Sequence, residues 1–128
     1  MRRLFLTNAA ALACLCAVGA AWQPAHADPG PIGEWKTQDG AANIAIRTCG
    51  GNLCGYVSWA KEGSSFVGRE VLVNMKPSGA IWSGTVVNVA SGQKYAARMS
   101  LQSSETLKIE GCVLGGMICG GQHWSRVK

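Results

Sequence analysis

An all-β fold, and within it a small up-and-down antiparallel β-barrel of about eight strands, follows from three observations. Short runs of alternating apolar and polar residues recur about every ten to twelve residues. Glycine-bearing turn signals separate the runs, in a chain with 17 glycines among 128 residues. Nowhere does apolar spacing keep the three–four rhythm of a helix for three turns. Closing such a meander into a barrel removes the two exposed edges that an open sheet would present.

Residues 1–27 precede this pattern and read as a cleavable secretory signal peptide. Arg2 and Arg3 form its basic start, residues 4–21 its apolar stretch, and Ala25-His26-Ala27 an A-x-A cleavage site. A membrane anchor fits less well, because the apolar stretch contains Thr7 and Asn8 and a cleavage site follows it. Cys14 and Cys16 lie inside the stretch without the leucine that would precede a lipid-attachment cysteine. The expected mature chain is residues 28–128, one monomeric domain of 101 residues in the periplasm or outside a bacterial cell, with no membrane span. Losing Arg2 and Arg3 takes 12 basic residues to 10 against 7 acidic ones, so the net charge falls from +5 to +3. The remaining cations are dispersed, from Lys36 to Lys108, with no basic run or helix, which argues against a nucleic-acid partner.

The predicted strands are 33–37, 42–49, 53–60, 69–75, 80–89, 94–101, 106–113 and 117–127. The turns between them carry Gln38-Asp39-Gly40, Gly50-Gly51-Asn52, a longer loop at 61–68, Pro77-Ser78-Gly79, Ser91-Gly92, Ser103-Ser104-Glu105 and Gly115-Gly116. Period-two parity assigns faces. The inner set is Ala42, Ile44 and Ile46 in the second strand, then Leu53, Val57 and Trp59 in the third. It continues with Tyr95, Ala97, Met99 and Leu101 in the sixth and Leu107, Ile109 and Val113 in the seventh. Parity along the last strand turns Trp124 and Arg126 inward. The fifth strand fits neither parity cleanly: Ile81, Val87 and Val89 compete with Trp82 and Val86.

Four cysteines remain after signal removal, and parity puts Cys49, Cys54, Cys112 and Cys119 on the outer face. Cross-strand partners must share a face, which permits Cys49–Cys54 and Cys112–Cys119. In a meander the second-to-third and seventh-to-eighth turns lie at opposite ends, so mixed pairs would have to span the barrel. A disulfide needs Cα atoms within about 7 Å. The same separation argues against a zinc site built from both pairs, and neither pair has the C-x-x-C spacing of a redox motif.

Gly33-Glu34-Trp35 opens the first strand and Trp124-Ser125-Arg126 nearly ends the last. Closure makes these strands neighbours, so Gly33, Trp35, Trp124 and Arg126 are the expected barrel-closure residues. Arg126 would stack on Trp35 and donate to carbonyls at the barrel end. A G-x-W opening with a late arginine resembles the calycin barrels, lipocalins among them. More of the chain resembles the secreted bacterial family known as domain of unknown function 2147. The matching segments are GEWKT at 33–37, CGGNLCGYV at 49–57, VLVNMKPSGAIWSG at 71–84, NVASGQKY at 88–95, LKIEGC at 107–112 and ICGGQHWSRV at 118–127. The family often carries a proline before the fifth-to-sixth turn, where this chain has Val89 after Asn88. The resemblance implies a small calycin-like barrel and supplies no catalytic residue.

His123 is the one histidine of the expected mature chain, and parity turns it outward. Without a histidine partner, an exposed free cysteine or a G-x-S-x-G turn, nucleophilic catalysis lacks its parts. The acidic residues are scattered, and the glycine-rich stretches are hairpin turns rather than phosphate loops. No catalytic residue, metal ligand or cofactor is therefore expected. Two binding roles remain. The barrel would take a small apolar or amphipathic molecule, lined by Trp59, Tyr95 and Met99, unless these residues simply fill the interior. Alternatively it is a protein-binding module, protease-inhibitor-like or engaging an envelope protein through the 61–68 loop or the segment 28–31. An inner cavity above about 300 Å3 favours the first role, and an exposed apolar rim patch on a solid barrel the second.

Overall fold

A computed structural model of the chain describes residues 30–113 and 117–128, with only the backbone of Ile118. The signal-peptide expectation for residues 1–27 lies outside the described residues, as do Asp28 and Pro29 of the segment 28–31. Eight strands follow one another: β1 (Gly33–Lys36), β2 (Ala42–Cys49), β3 (Asn52–Ala60), β4 (Glu70–Ser78), β5 (Ile81–Val87), β6 (Lys94–Ser103), β7 (Thr106–Val113) and β8 (Ile118–Arg126). Each pairs antiparallel with its sequence neighbour, and β1 pairs with β8 through Trp35↔Arg126 and Lys36↔Ser125, closing the barrel. A single 3-10 turn, Ser64–Phe66, lies in the β3–β4 loop. The fourth strand runs three residues past its expected end. Pro77 pairs with Trp82 in its last stretch, where the ladder is about to end and a missing N–H costs little.

Register, rather than strand position, produces the main departures from simple alternation. Ile44 pairs with Val57 and Asn43 with Trp59, so Ser58 is an extra residue on β3. This bulge flips the end of the strand. Trp59, expected inside, therefore faces outward and is 46% exposed. A second bulge sits on β4, where Val73 pairs with Thr85 but Lys76 with Ser83. Asn74 there takes a left-handed φ of 47°. Gly84 lies opposite, and a Cβ on it would come within 2.6 Å of the Val73 carbonyl oxygen and 2.7 Å of that of Asn74. Only glycine lets β5 pass the bulge. Beyond it β5 has a defined inner face. Trp82 pairs with Met99, Gly84 with Ala97 and Val86 with Tyr95, so Trp82 turns inward and packs on the core.

Both cysteine pairs are disulfide-bonded as expected, Cys49 to Cys54 and Cys112 to Cys119. Register puts them on the outer parity: Arg47 lies opposite Cys54, and Cys112 opposite Cys119. Cys54 and Cys112 are nevertheless buried. The Arg98 guanidinium lies over the second bridge, 3.1 Å from Cys119 Sγ. Val113 keeps its inner parity but sits at the end of β7, where it is exposed.

The start of β1, the end of β8 and the β2–β3, β4–β5 and β6–β7 turns share one end of the barrel, here the closed end. Trp35, Leu53, Met75, Met99 and Leu107 are buried there. Arg126 caps them. Its Nε donates to Ser104 O (2.6 Å), and its two terminal nitrogens donate to Ile32 O (3.0 Å) and Gly30 O (2.7 Å). Its guanidinium carbon lies 4.3 Å from the Trp35 ring centre. The Trp35 indole N–H donates to Pro31 O at 2.9 Å. The opening glycine has a steric reason. Gly33 has φ 143°, and a Cβ on it would lie 2.6 Å from an Arg126 terminal nitrogen.

Candidate functional site

The opposite end is hollow. A cavity of about 370 Å3 opens among the β1–β2 turn, the end of β5 and the β7–β8 hairpin. Its walls come from Ala42, Ile44, Val57, Val71, Val86, Ile109 and Trp124, side chains of six strands. The inner faces of β7 and β8 show why space remains. Moving from the closed end to the mouth, the paired residues are Leu107↔Trp124, Ile109↔Gln122 and Gly111↔Gly120. Side-chain volume falls to two facing glycines one step before the last inner-parity pair, Val113↔Ile118. A Cβ on Gly111 would press on Val86 Cγ1 at 3.3 Å, whereas one on Gly120 would meet nothing within 4 Å among the described residues. Gly120 therefore borders open space.

Polar groups ring the mouth. Thr37, Asp39, Asn88, Tyr95 and Gln122 all line it. Asp39 sits in the β1–β2 turn, where its Oδ1 accepts from the Thr37 hydroxyl and from the Ala41 N–H, both at 2.9 Å. These bonds hold its carboxyl below the usual range, the backbone N–H of Ala41 contributing most. Asn88 Oδ1 accepts from the N–H groups of Ala90 and Ser91, closing the β5–β6 turn. That turn thus forms on these two bonds, with Val89 following Asn88. Gln122 Oε1 accepts the Trp124 indole N–H at 2.8 Å, and the Tyr95 hydroxyl donates to Gln93 Oε1 at 3.0 Å. The β1–β2 turn is tied to β8 by the His123 N–H, which donates to Gln38 Oε1 at 2.8 Å. Arg69 bridges two rim loops from outside. It lies 5.4 Å from the Phe66 ring centre and donates to Val89 O at 3.4 Å.

The structure separates the three residues expected to line a ligand. Tyr95 borders the cavity. Met99 is fully buried in the filled half, beyond the cavity floor. Trp59 is outside, for the bulge described above. Of the closure residues, Trp124 serves both halves: it pairs with Leu107 and its ring borders the cavity. His123 is exposed on the outer face. Among the described residues no group of three His, Cys, Asp or Glu is placed to hold a metal ion. Sequence reasoning missed the wall itself, Ile44, Val57, Val71, Val86 and Ile109, because a void is a property of the assembled strands. The one available signal was the coincidence of Gly111 and Gly120 on inner parity.

Among solved structures, the chain is similar to one described as "Protein HP1028 from the human pathogen Helicobacter pylori belongs to the lipocalin family". The TM-score is 0.61 at 18% identity, covering 76% of this chain and 82% of that one, a likeness of fold. No match to the chain was found among curated proteins. Residues 33–126 match the family described as "Uncharacterized protein conserved in bacteria" (DUF2147). That span begins at the closure glycine and ends at the closure arginine, and the chain belongs to this family.

Proposed function

We propose that this protein binds a small apolar or amphipathic molecule inside its barrel and acts as a binding protein rather than an enzyme. The observation that carries the reading is the cavity of about 370 Å3 with apolar walls and a polar rim. It falls within the roughly 300–1,000 Å3 range of ligand sites. The lipocalin-like fold supports the same reading. The rival role in protein binding has less support. Among the described residues, the exposed large apolar side chains fall in three places rather than one patch: Ile32 and Val127 at the closed end, Trp59 and Val67 at the β3–β4 connection, and Val113 and Met117 at β7–β8, four strands away.

We further propose export. The two disulfides and the leader at residues 1–27 support a monomer that works in the periplasm or outside the cell, beginning at Asp28. Native mass spectrometry of protein purified from its own periplasm tests both points. The expected result is a chain starting at Asp28 with four cysteines oxidised and a small organic adduct. Gly120→Phe, which fills open space at the mouth, should lose the adduct while melting within a few degrees of the parent protein. An adduct retained equally by Gly120→Phe would place the ligand elsewhere and overturn the reading.

A further inference from the structure

The cavity rim is electrically one-sided. Among the described residues its lining contains one carboxylate, Asp39, and no lysine, arginine or histidine. Most acceptor atoms around it already have donors. Asn88 Oδ1 takes two backbone N–H groups, and Gln122 Oε1 takes the Trp124 indole. On Asp39, the Thr37 and Ala41 bonds both fall on Oδ1, and neither uses Oδ2. Asp39 thus brings a carboxylate into the lining of a cavity whose floor is apolar. Lys61 lies near enough to act on Asp39 electrostatically, but its side chain is not part of the cavity wall.

We propose that the cavity takes a small cationic amphiphile, apolar body inward and ammonium-type head at Asp39, and discriminates against anionic ones. This rests on the barrel being the ligand site. At about 30 Å3 per water-sized group, the space holds on the order of a dozen heavy atoms. The apolar floor takes the hydrocarbon, since a charged head driven in among Ile44, Val57 and Ile109 would lose its hydration without a partner. The head thus stays at the rim. There an ammonium gains the carboxylate, an alcohol gains a hydrogen bond, and a carboxylate meets a like charge with no cation in the wall to compensate.

Three probes with one hydrocarbon chain separate charge from burial: decylammonium, 1-decanol and decanoate, titrated calorimetrically at pH 7 and low salt. The expected order is decylammonium tighter than decanol by about threefold or more, and decanoate weakest, the first ratio being what a partly exposed ion pair supplies. Salt should shrink that ratio. Asp39→Asn keeps a side-chain oxygen for Thr37 and Ala41, and it should bring the ammonium and alcohol affinities together. Equal binding of all three, or an ammonium preference that survives Asp39→Asn, overturns the charge selection while leaving the barrel as the site. Failure of all three to bind, with the parent and Gly120→Phe indistinguishable, overturns the barrel reading as well.

Discussion

The two ends of this barrel are built from the same eight strands and do opposite things with them. At the closed end the paired inner residues are large, Leu107 with Trp124 and Trp82 with Met99, and Arg126 seals them with three bonds to backbone carbonyls. Toward the mouth the corresponding pair is Gly111 with Gly120, and a cavity of about 370 Å3 lies between the walls. Stability and binding are thereby divided along the barrel axis. One end is packed and capped, so substitutions there remove contacts or leave acceptors without donors. The other forgoes part of its packing, and substitutions there change what fits inside.

The comparison breaks most readily at Arg126. Arg126→Ala removes the stacking on Trp35 and three bonds to carbonyls at the closed end, a loss of about 1–3 kcal/mol. Urea melts of Arg126→Ala, Trp35→Ala and the double variant should be clearly non-additive, because the two side chains are in contact. Arg98→Ala, on the exposed outer face, should cost far less. An Arg126→Ala melt equal to that of Arg98→Ala would remove the distinction between a capped end and an open one.

Gly33→Ala tests the same end with a smaller change. The added Cβ must displace the Arg126 guanidinium or the Lys128 carbonyl, and φ 143° is a region that L residues rarely adopt. A loss of about 2 kcal/mol is expected. Lysine at position 126 should not rescue it, since lysine lacks the planar fork that reaches three carbonyls. At the mouth, by contrast, Gly120→Phe should change stability by only about 0.5 kcal/mol while abolishing ligand binding. A Gly120→Phe protein as damaged as Gly33→Ala would mean the mouth is packed after all.

The smallest effect is one of pH, and it involves both ends. Glu34, near the closed end, has its carboxyl held low, chiefly by the Ser58 hydroxyl donating to Oε2 at 2.7 Å. Asp39, at the mouth, is held low by the Ala41 N–H and the Thr37 hydroxyl. Both folded-state values lie below the unfolded ones. Their stabilisation is therefore complete above the ordinary carboxylate range of about pH 4 and is lost as pH falls through the depressed values. Thermal melts from pH 6 down to pH 2 should show that decline reduced in Glu34→Gln and Asp39→Asn. Asp39 is exposed and Glu34 only partly buried, so each contribution is modest.

Much of the architecture was legible because it rests on local rules. Turn chemistry and period-two alternation gave the eight strands in order, and the antiparallel meander made both disulfide pairings the short ones. The G-x-W opening and late arginine gave the closure contact, since a closed barrel must bring its first and last strands together. Cys54 and Cys112 show where parity stops being sufficient. It placed them on the outer face but not under the neighbouring side chains that bury them. Trp59 shows a stronger limit. Alternation placed it inside, and one extra residue at Ser58 put it outside.

The amino-acid order alone therefore determined the secondary structure, the strand neighbours and the covalent links, because each depends on residues close in sequence or adjacent in a meander. The three-dimensional arrangement decided the rest. Bulges at Ser58 and Asn74 are settled between strands, where a twisted sheet must close on itself, and alternation within one strand cannot register them. The cavity was decided last of all. Its emptiness belongs to no residue: it is the volume left when side chains from seven strands meet at one end and two facing glycines contribute none.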